Sequence, residues 1–340
     1  MSEDQHIEMY SSESWEYSRN YSSLLGEIPS SFGSTIRSLI SDHEKNAGVL
    51  GPGTKFLSLR LARSKSLKAS FYYALQTYKP EFLQGKDKIT VEDLLNAFKA
   101  DEIAALLGTI YLYKKAKKIC DKTELNFILP HLLKEIDVSG HVGLGLPAVG
   151  FANGILTFGM RYIAAMTYLR HNLKHFQEYR RLLKSEKTLF NHDKEIEFFG
   201  CTTTQIASIF LQTLGFGVEF SNNYAMTFAD EKILQKTDAQ SSPFKVTELW
   251  TYSLISGGKI PDVAHDSKFY PANKEITSRL LERVAAAPTS WLDRGSEDIS
   301  PEKTPQLSME AEAKAVGKKS QSTEESMSGD LEDDELEQDE

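Results

Sequence analysis

Residues 200–205 read GCTTTQ and hold a cysteine and three threonines that could act as nucleophiles. Cys201 would lie at the start of a helix, where the helix dipole lowers the pKa of a thiol. A nucleophile also needs a base within hydrogen-bond reach. The sequence nominates no particular histidine for that role, so the chemical interpretation of GCTTTQ lacks a partner.

A structural interpretation explains the same stretch completely. Thr202 and Gln205 have the spacing of a capping box, which begins a helix. An apolar stripe follows at Ile206, Ile209, Phe210 and Leu214. Gly215 then stands where a helix ends in the left-handed conformation. The sequence therefore predicts a helix cap here rather than a catalytic site.

Histidines offer two candidate metal sites. His192 and Asp193 form a His-Asp dipeptide in a stretch predicted to be a loop, but no further ligand has a matching spacing. His171 and His175 are four residues apart on a predicted helix, in HNLKH, which lacks the glutamate of the HExxH motif. Four basic residues surround this pair: Arg170, Lys174, Arg180 and Arg181. They favour a solvated basic face over a cation site.

The segment GLGLPAVG at 143–150 imitates a glycine-rich phosphate loop. It has neither GxGxxG spacing nor a Lys-Ser/Thr end, and no strand precedes it. The sequence thus assigns no catalytic residue, no metal ligand and no cofactor-binding residue.

Composition favours a globular protein in a reducing compartment. The chain has 340 residues, 40% apolar and 26% charged, with only two cysteines, Cys120 and Cys201. The first 20 residues have no basic segment followed by an apolar one, so no signal peptide is predicted. The expected location is the cytoplasm.

Charge is concentrated in the last 45 residues. Residues 296–340 include 15 acidic and 4 basic residues, a local charge of −11. Since the whole chain carries −9, the other 295 residues carry +2. This composition, without aromatic residues, is typical of a disordered acidic tail.

Helical periodicity dominates the rest of the chain. It predicts helices within 34–45, 55–78, 90–121, 126–137, 141–186, 245–261 and 273–287. No βαβ pattern or repeat occurs, so the predicted fold is all-α. The predicted organisation is a loose N-terminal segment at 1–30, one large helical domain at 31–290 and a disordered acidic tail at 291–340.

The segment from Val142 to Met160 contains no charged residue in 19 positions. Its length would suffice to cross a bilayer. Five glycines and Pro147 lie within it, and Arg161 follows at once. We expect a buried helix of a helical domain and no membrane span.

Several segments together resemble the HDOD family of helical, HD-related output domains. EFFGCTTTQIASIFLQTLGFG at 197–217 is similar to a late helix of that family. FLSLRLARSKSLKASFYYALQTY, ITVEDLLNAFKADEIAALLG and FANGILTFGMR resemble its earlier elements. The resemblance covers roughly residues 35 to 260. The Asp-Pro dipeptide that joins two helices in the family is absent here.

This resemblance implies a function without catalysis. HDOD domains occur mainly in bacterial signalling proteins, and they generally lack the metal ligands of HD phosphohydrolases. Matching GILTF to the GLLHD motif of HD enzymes places Thr157 and Phe158 at the ligand positions. Threonine is a poor ligand for such metals and phenylalanine is none. The resemblance implies a regulatory signal-transduction or scaffolding module that binds a protein partner.

Two rival functions remain open. One is a divergent HD-type metal-dependent phosphohydrolase with relocated His and Asp ligands. The other is a nucleic-acid or polyanion binder regulated by the tail, which could cover one of three basic segments: Arg60–Lys68, Lys114–Lys118 and Arg170–Lys187. Because residues 1–295 carry only +2 and no nucleic-acid motif is visible, nucleic acid is the less expected ligand.

Overall fold

A computed structural model describes residues 10–225 except 63 and 87, residues 242–257 and 291–294, and positions 227, 261, 275, 278–280 and 282. All structural statements concern these residues. The helices are α1 Ser12–Ser23, α2 Ser30–Lys45, α3 Pro52–Ala62, α4 Lys65–Tyr78, α5 Val91–Asn96, α6 Ala100–Ile119, α7 Lys122–Gly145, α8 Phe151–His171, α9 Leu173–Glu186, α10 His192–Phe199, α11 Thr203–Leu214, α12 Val218–Ala225, α13 Pro243–Gly257 and α14 Trp291–Arg294.

The all-α prediction is confirmed, and several predicted boundaries are close. The segment 55–78 forms two helices, α3 and α4, and the segment 90–121 forms the short α5 and the longer α6. Thr90 and Asp93 make the predicted capping box at the start of α5. Of the helix predicted at 273–287, positions 275, 278–280 and 282 are helical, and the remainder lies outside the described residues.

Helix α8 lies at the centre of the fold. Eighteen of its 21 residues are buried. It packs against α6 and α7 most extensively and also against α1, α9, α11 and α13. This burial explains the charge-free sequence from Val142 to Met160, which ends α7, turns and enters α8. Within the described residues, no helix combines the length and apolarity needed to cross a bilayer.

The glycine-rich segment 143–150 forms the corner between α7 and α8. A Cβ atom on Gly143 would lie 2.5 Å from the carbonyl oxygen of Gly150, closer than real Cβ atoms come. Glycine at 143 therefore permits a close approach of the two helices. This packing role accounts for Gly143 without a bound phosphate.

The N-terminal prediction is wrong for residues 12–23. They form α1, which packs on α8 and α11. Tyr21 of α1 and Leu25 just after it belong to the main core. Because serine and glutamate dominate this stretch, its sequence shows little apolar periodicity, although the buried positions Ser14, Ser18 and Tyr21 fall on one helical face.

The boundary of the predicted tail at 291 is also wrong. Residues 291–294 form the short α14. The indole N–H of Trp291 donates to the Tyr78 hydroxyl at 2.9 Å, and Asp293 pairs with Lys117 at 2.9 Å. A fully buried tryptophan ties this segment to the core. The rest of the predicted acidic tail lies outside the described residues.

Candidate functional site

The GCTTTQ segment forms a helix cap. The Thr202 hydroxyl accepts a hydrogen bond from the Gln205 backbone N–H at 3.2 Å. The Gln205 side-chain oxygen in turn accepts from the Thr202 N–H at 3.0 Å. At the other end of α11, Gly215 has a φ of +101° in the left-handed region. The predicted capping box and the predicted glycine ending are both confirmed.

Cys201 is placed unfavourably for nucleophilic catalysis. Its side chain is completely buried, and burial raises the pKa of the thiol to about 12. The Tyr168 hydroxyl donates to the Cys201 carbonyl oxygen at 2.6 Å and lies 3.8 Å from the Cys201 Sγ atom. A thiol with a raised pKa is protonated at neutral pH and is a weak nucleophile.

A buried polar cluster lies beside this cap. We call it the Arg161 cluster and define it as Arg161, Phe190, His192, Glu195, Thr203 and Glu248. Arg161 of α8 has no solvent exposure. Its guanidinium forms an ion pair with Glu248 at 3.0 Å and lies 3.7 Å from the centre of the Phe190 ring.

Glu195 of α10 is the fully buried carboxylate of the Arg161 cluster. It accepts hydrogen bonds from the Tyr179 hydroxyl at 2.8 Å and from the Thr203 backbone N–H at 2.6 Å. Burial raises the pKa of Glu195, while Arg161 and these donors counteract that rise. Each bond is donated to the carboxylate, an arrangement that suits its ionised form. Glu195 thus links α9, α10 and the start of α11.

His192 is held by Arg161. The Arg161 Nη2 and His192 Nε2 atoms are 2.8 Å apart. Because a guanidinium can only donate, Nε2 must accept, so the neutral ring carries its proton on Nδ1. Burial, Arg161 and Lys245 lower the pKa of His192 well below its usual value. The prediction of a loop at His192 and Asp193 is wrong, because Asn191 caps α10 and both residues lie in its first turn.

The two positions matched to HD metal ligands lie on α8. The Thr157 hydroxyl donates to the Asn153 carbonyl oxygen at 2.6 Å, within its own helix. Phe158 is completely buried, and its ring lies 6.1 Å from the Phe190 ring. The Thr157 side chain therefore forms a hydrogen bond within α8, and the Phe158 side chain packs in the core.

Sequence reasoning missed the central residue of this region. Arg161 is the only charged residue between Val142 and Leu169. A single charge in a long apolar helix indicates a buried side chain, which must then be paired. The sequence alone therefore indicated that Arg161 is buried. It did not indicate the partners of Arg161, because Glu248 and His192 are distant along the chain.

A surface cleft of about 610 Å³ lies between α1, the α8–α9 junction and α10. Its lining combines polar side chains with five aromatic residues, Tyr10, Tyr17, Tyr21, Phe198 and Phe199. Tyr17 and Ile196 are each 43% exposed there. Large apolar side chains left in water at a concave site are typical of a binding surface.

One wall of the cleft is anchored on the GCTTTQ cap. The Ser14 hydroxyl donates to the Gln205 side-chain oxygen at 2.9 Å. The Tyr10 hydroxyl lies 3.4 Å from the hydroxyls of both Thr202 and Thr204. The cap residues therefore hold the N-terminal helix in place, a role that only the tertiary structure reveals.

His171 and His175 both line the cleft. The His171 ring packs edge-on against Tyr21 with centroids 5.1 Å apart, and the His175 ring packs against Phe198 at 6.4 Å. Both histidine rings are thus part of the aromatic wall of the cleft. Among the residues that the structure describes, no group of three or more His, Cys, Asp or Glu side chains is arranged to hold a metal ion.

No protein-family model, no curated protein and no solved structure matches this chain. The resemblance to HDOD domains therefore stays a prediction from the residues.

Proposed function

We propose that this chain is a non-catalytic signalling or scaffolding module, of HDOD-like type, that acts by binding a protein partner in the cytoplasm. The observation that carries the proposal is the cleft beside α1, with the exposed side chains of Tyr17 and Ile196 on its rim. Aromatic side chains with partial exposure are the residues that most often dominate protein interfaces.

The use of the reactive side chains also supports the proposal. Cys201 has a raised pKa, His192 accepts from Arg161, and Thr157 bonds within its own helix. Each of these candidates for chemistry is engaged in holding the fold. A catalytic group needs an accessible reacting atom and a matched pKa.

The cleft proposal can be tested by one pair of variants. Ile196→Asp places a charge on the cleft rim, and Val218→Asp places the same charge at an apolar position that is 57% exposed on α12. We expect proteins captured from the native cell by the wild type to be retained by Val218→Asp and lost by Ile196→Asp. Quantitative mass spectrometry of the captured proteins measures this difference. Identical sets for the two variants would contradict a role for the cleft.

The alternative hypothesis, a divergent HD-type hydrolase, predicts that the purified protein contains bound metal. A divergent HD-type enzyme requires bound divalent metal and the histidines that hold it. Metal analysis of the purified protein, compared with His192→Ala and His171→Ala, separates the two functions. Near one equivalent of iron, manganese or zinc that disappears in either variant would favour the hydrolase, whatever the result at Ile196.

A further inference from the structure

The three basic segments of the sequence are used differently in the fold. In Lys114–Lys118, the Lys115 amine donates to the carbonyl oxygens of Leu25 at 3.1 Å and Glu27 at 2.6 Å. Lys117 pairs with Asp293 of α14. Lys115 and Lys117 therefore hold the loop after α1 and the short α14 on α6, and their charges are not offered to a ligand.

The segment Arg60–Lys68 offers little more. Lys68 is only 7% exposed, whereas Arg60 is exposed at the end of α3. Arg63 and the side chain of Lys65 lie outside the described part of the chain, and the two described cations, one exposed and one buried, do not form a continuous positive surface.

The remaining segment presents a row of exposed cations. We call it the cationic stripe and define it as Arg170, Lys174, Arg181, Lys184 and Lys187, all of which are exposed. Lys174, Arg181 and Lys184 are separated by seven and three residues, so they share one face of α9. Phe176, Tyr179 and Leu183 occupy the opposite, buried face.

The cationic stripe has few internal counter-charges. Arg170 approaches Glu124 only to 3.9 Å. For Lys174, Arg181, Lys184 and Lys187, the described part of the chain provides no carboxylate within 4.0 Å. Glu178 follows Lys174 by four residues and lies on the same face, but it is only partly exposed, and the exposed charges of that face are positive. Such a surface attracts an anionic segment.

We propose that residues 296–340 of the same chain dock on the cationic stripe. They carry a charge of −11, and 8 of the last 11 residues are acidic with none basic. The 46 residues after Arg294 could span up to about 150 Å when extended. A 290-residue domain is about 50 Å across, so the acidic end can reach the stripe from any exit point. Covalent linkage supplies an effective concentration on the order of 1 mM.

Docking at this place would regulate the neighbouring cleft. Arg170 and Lys174 directly precede His171 and His175, which line the cleft. An acidic segment bound to the stripe would therefore lie beside the cleft rim. It would compete with acidic partners and leave apolar contacts in the cleft available. This inference concerns the stripe and the tail and does not depend on which protein the cleft binds.

The contact can be measured in the full chain. Ser328→Cys provides a thiol for a spin label within the acidic segment, since both native cysteines are buried. We expect the label to weaken the amide NMR signals of Leu173–Glu186 at low salt. Raising the ionic strength from 0.1 M to 1 M shortens the Debye length from about 10 Å to about 3 Å, so these signals should recover.

Two matched triple variants decide the site. Lys174→Gln, Arg181→Gln and Lys184→Gln together should abolish the signal loss. A control that removes the same charge from exposed positions elsewhere, Lys45→Gln, Arg60→Gln and Lys122→Gln, should retain it. Signal loss that persists in the stripe variant, lies on another surface, or is absent at low salt overturns the proposal.

Discussion

Buried ionisable side chains occur in two settings in this protein. Arg161 and Glu195 are fully buried and surrounded by donors, acceptors and an opposite charge. Glu135 of α7 and Lys114 of α6 are also desolvated, but within the described residues the Glu135 Oε2 and Lys114 Nζ atoms have no hydrogen-bond partner. Burial raises the pKa of Glu135 to about 8, and burial lowers the pKa of Lys114 to about 8.

The difference lies in pairing. Burial alone penalises the charged form of any side chain. For Arg161, the attraction of Glu248 and Glu195 outweighs that penalty, and the pKa of the guanidinium is raised. For Lys114, desolvation acts without an opposing charge. Pairing therefore makes the fully buried Arg161 part of the framework, whereas the less deeply buried Lys114 is a local cost to stability.

The largest expected effect comes from breaking the paired setting. Arg161→Met should lower the free energy of unfolding by about 3–5 kcal/mol, because it removes the cation beside the buried Glu195 and, among the described residues, leaves the partly buried Glu248 with Lys245 alone, at 3.7 Å. Urea unfolding monitored by tryptophan fluorescence measures the loss. A cost below that of an ordinary surface substitution would show that the Arg161 cluster is not a structural unit.

Glu135→Gln tests the unpaired carboxyl. Since the folded-state pKa is raised to about 8, the folded state holds a proton that the unfolded state releases near its usual pKa. Wild-type stability should therefore fall as pH rises from about 4.5 to about 8. The glutamine variant should lack this fall and exceed the wild type by on the order of 3 kcal/mol at pH 8. Parallel stability profiles for the two proteins would refute the assignment.

Lys114→Met should change the free energy of unfolding by less than Glu135→Gln does. The pH dependence should also be opposite, because the wild type becomes more stable as the pH rises. The lowered pKa means that the unfolded state binds a proton more tightly than the folded state between about 8 and 10.5. The cost to the wild type is complete below pH 8 and fades as pH rises to 10.5. The variant should be more stable by on the order of 2 kcal/mol at pH 7. Chemical denaturation at pH 7 and pH 10 provides the comparison.

The smallest effect is expected at Cys201, which is buried, titratable and neutral. Its folded-state pKa is raised to about 12, above the usual 9.0, so neither state ionises below about pH 8. Cys201→Ala should cost about 1 kcal/mol through lost packing, with no dependence on pH between 5 and 8. A pH-dependent cost in that range would indicate a thiolate and revive the nucleophilic interpretation.

Local features of the sequence determined several of the helix ends. The capping boxes at Thr90 and Thr202 and the glycine ending at 215 depend on bonds within one turn. Residues three or four positions apart settle such bonds, so a single sequence reveals them. The apolar character of α8 likewise predicted its burial, since nearly the whole helix is free of charge.

Only the tertiary structure decided what the polar residues do. Arg161 meets Glu248, 87 positions later, and Gln205 meets Ser14, 191 positions earlier. The docking of α1 and α14 depends on the same kind of distant contact, because a few polar bonds and one buried ring hold each short helix. The spacing of apolar residues indicates which face of a helix is buried, but it does not indicate which distant side chains that face contacts. The sequence therefore determined the helical character of the chain and several helix ends, whereas packing decided where α1 docks, which charges are paired and which surfaces stay open.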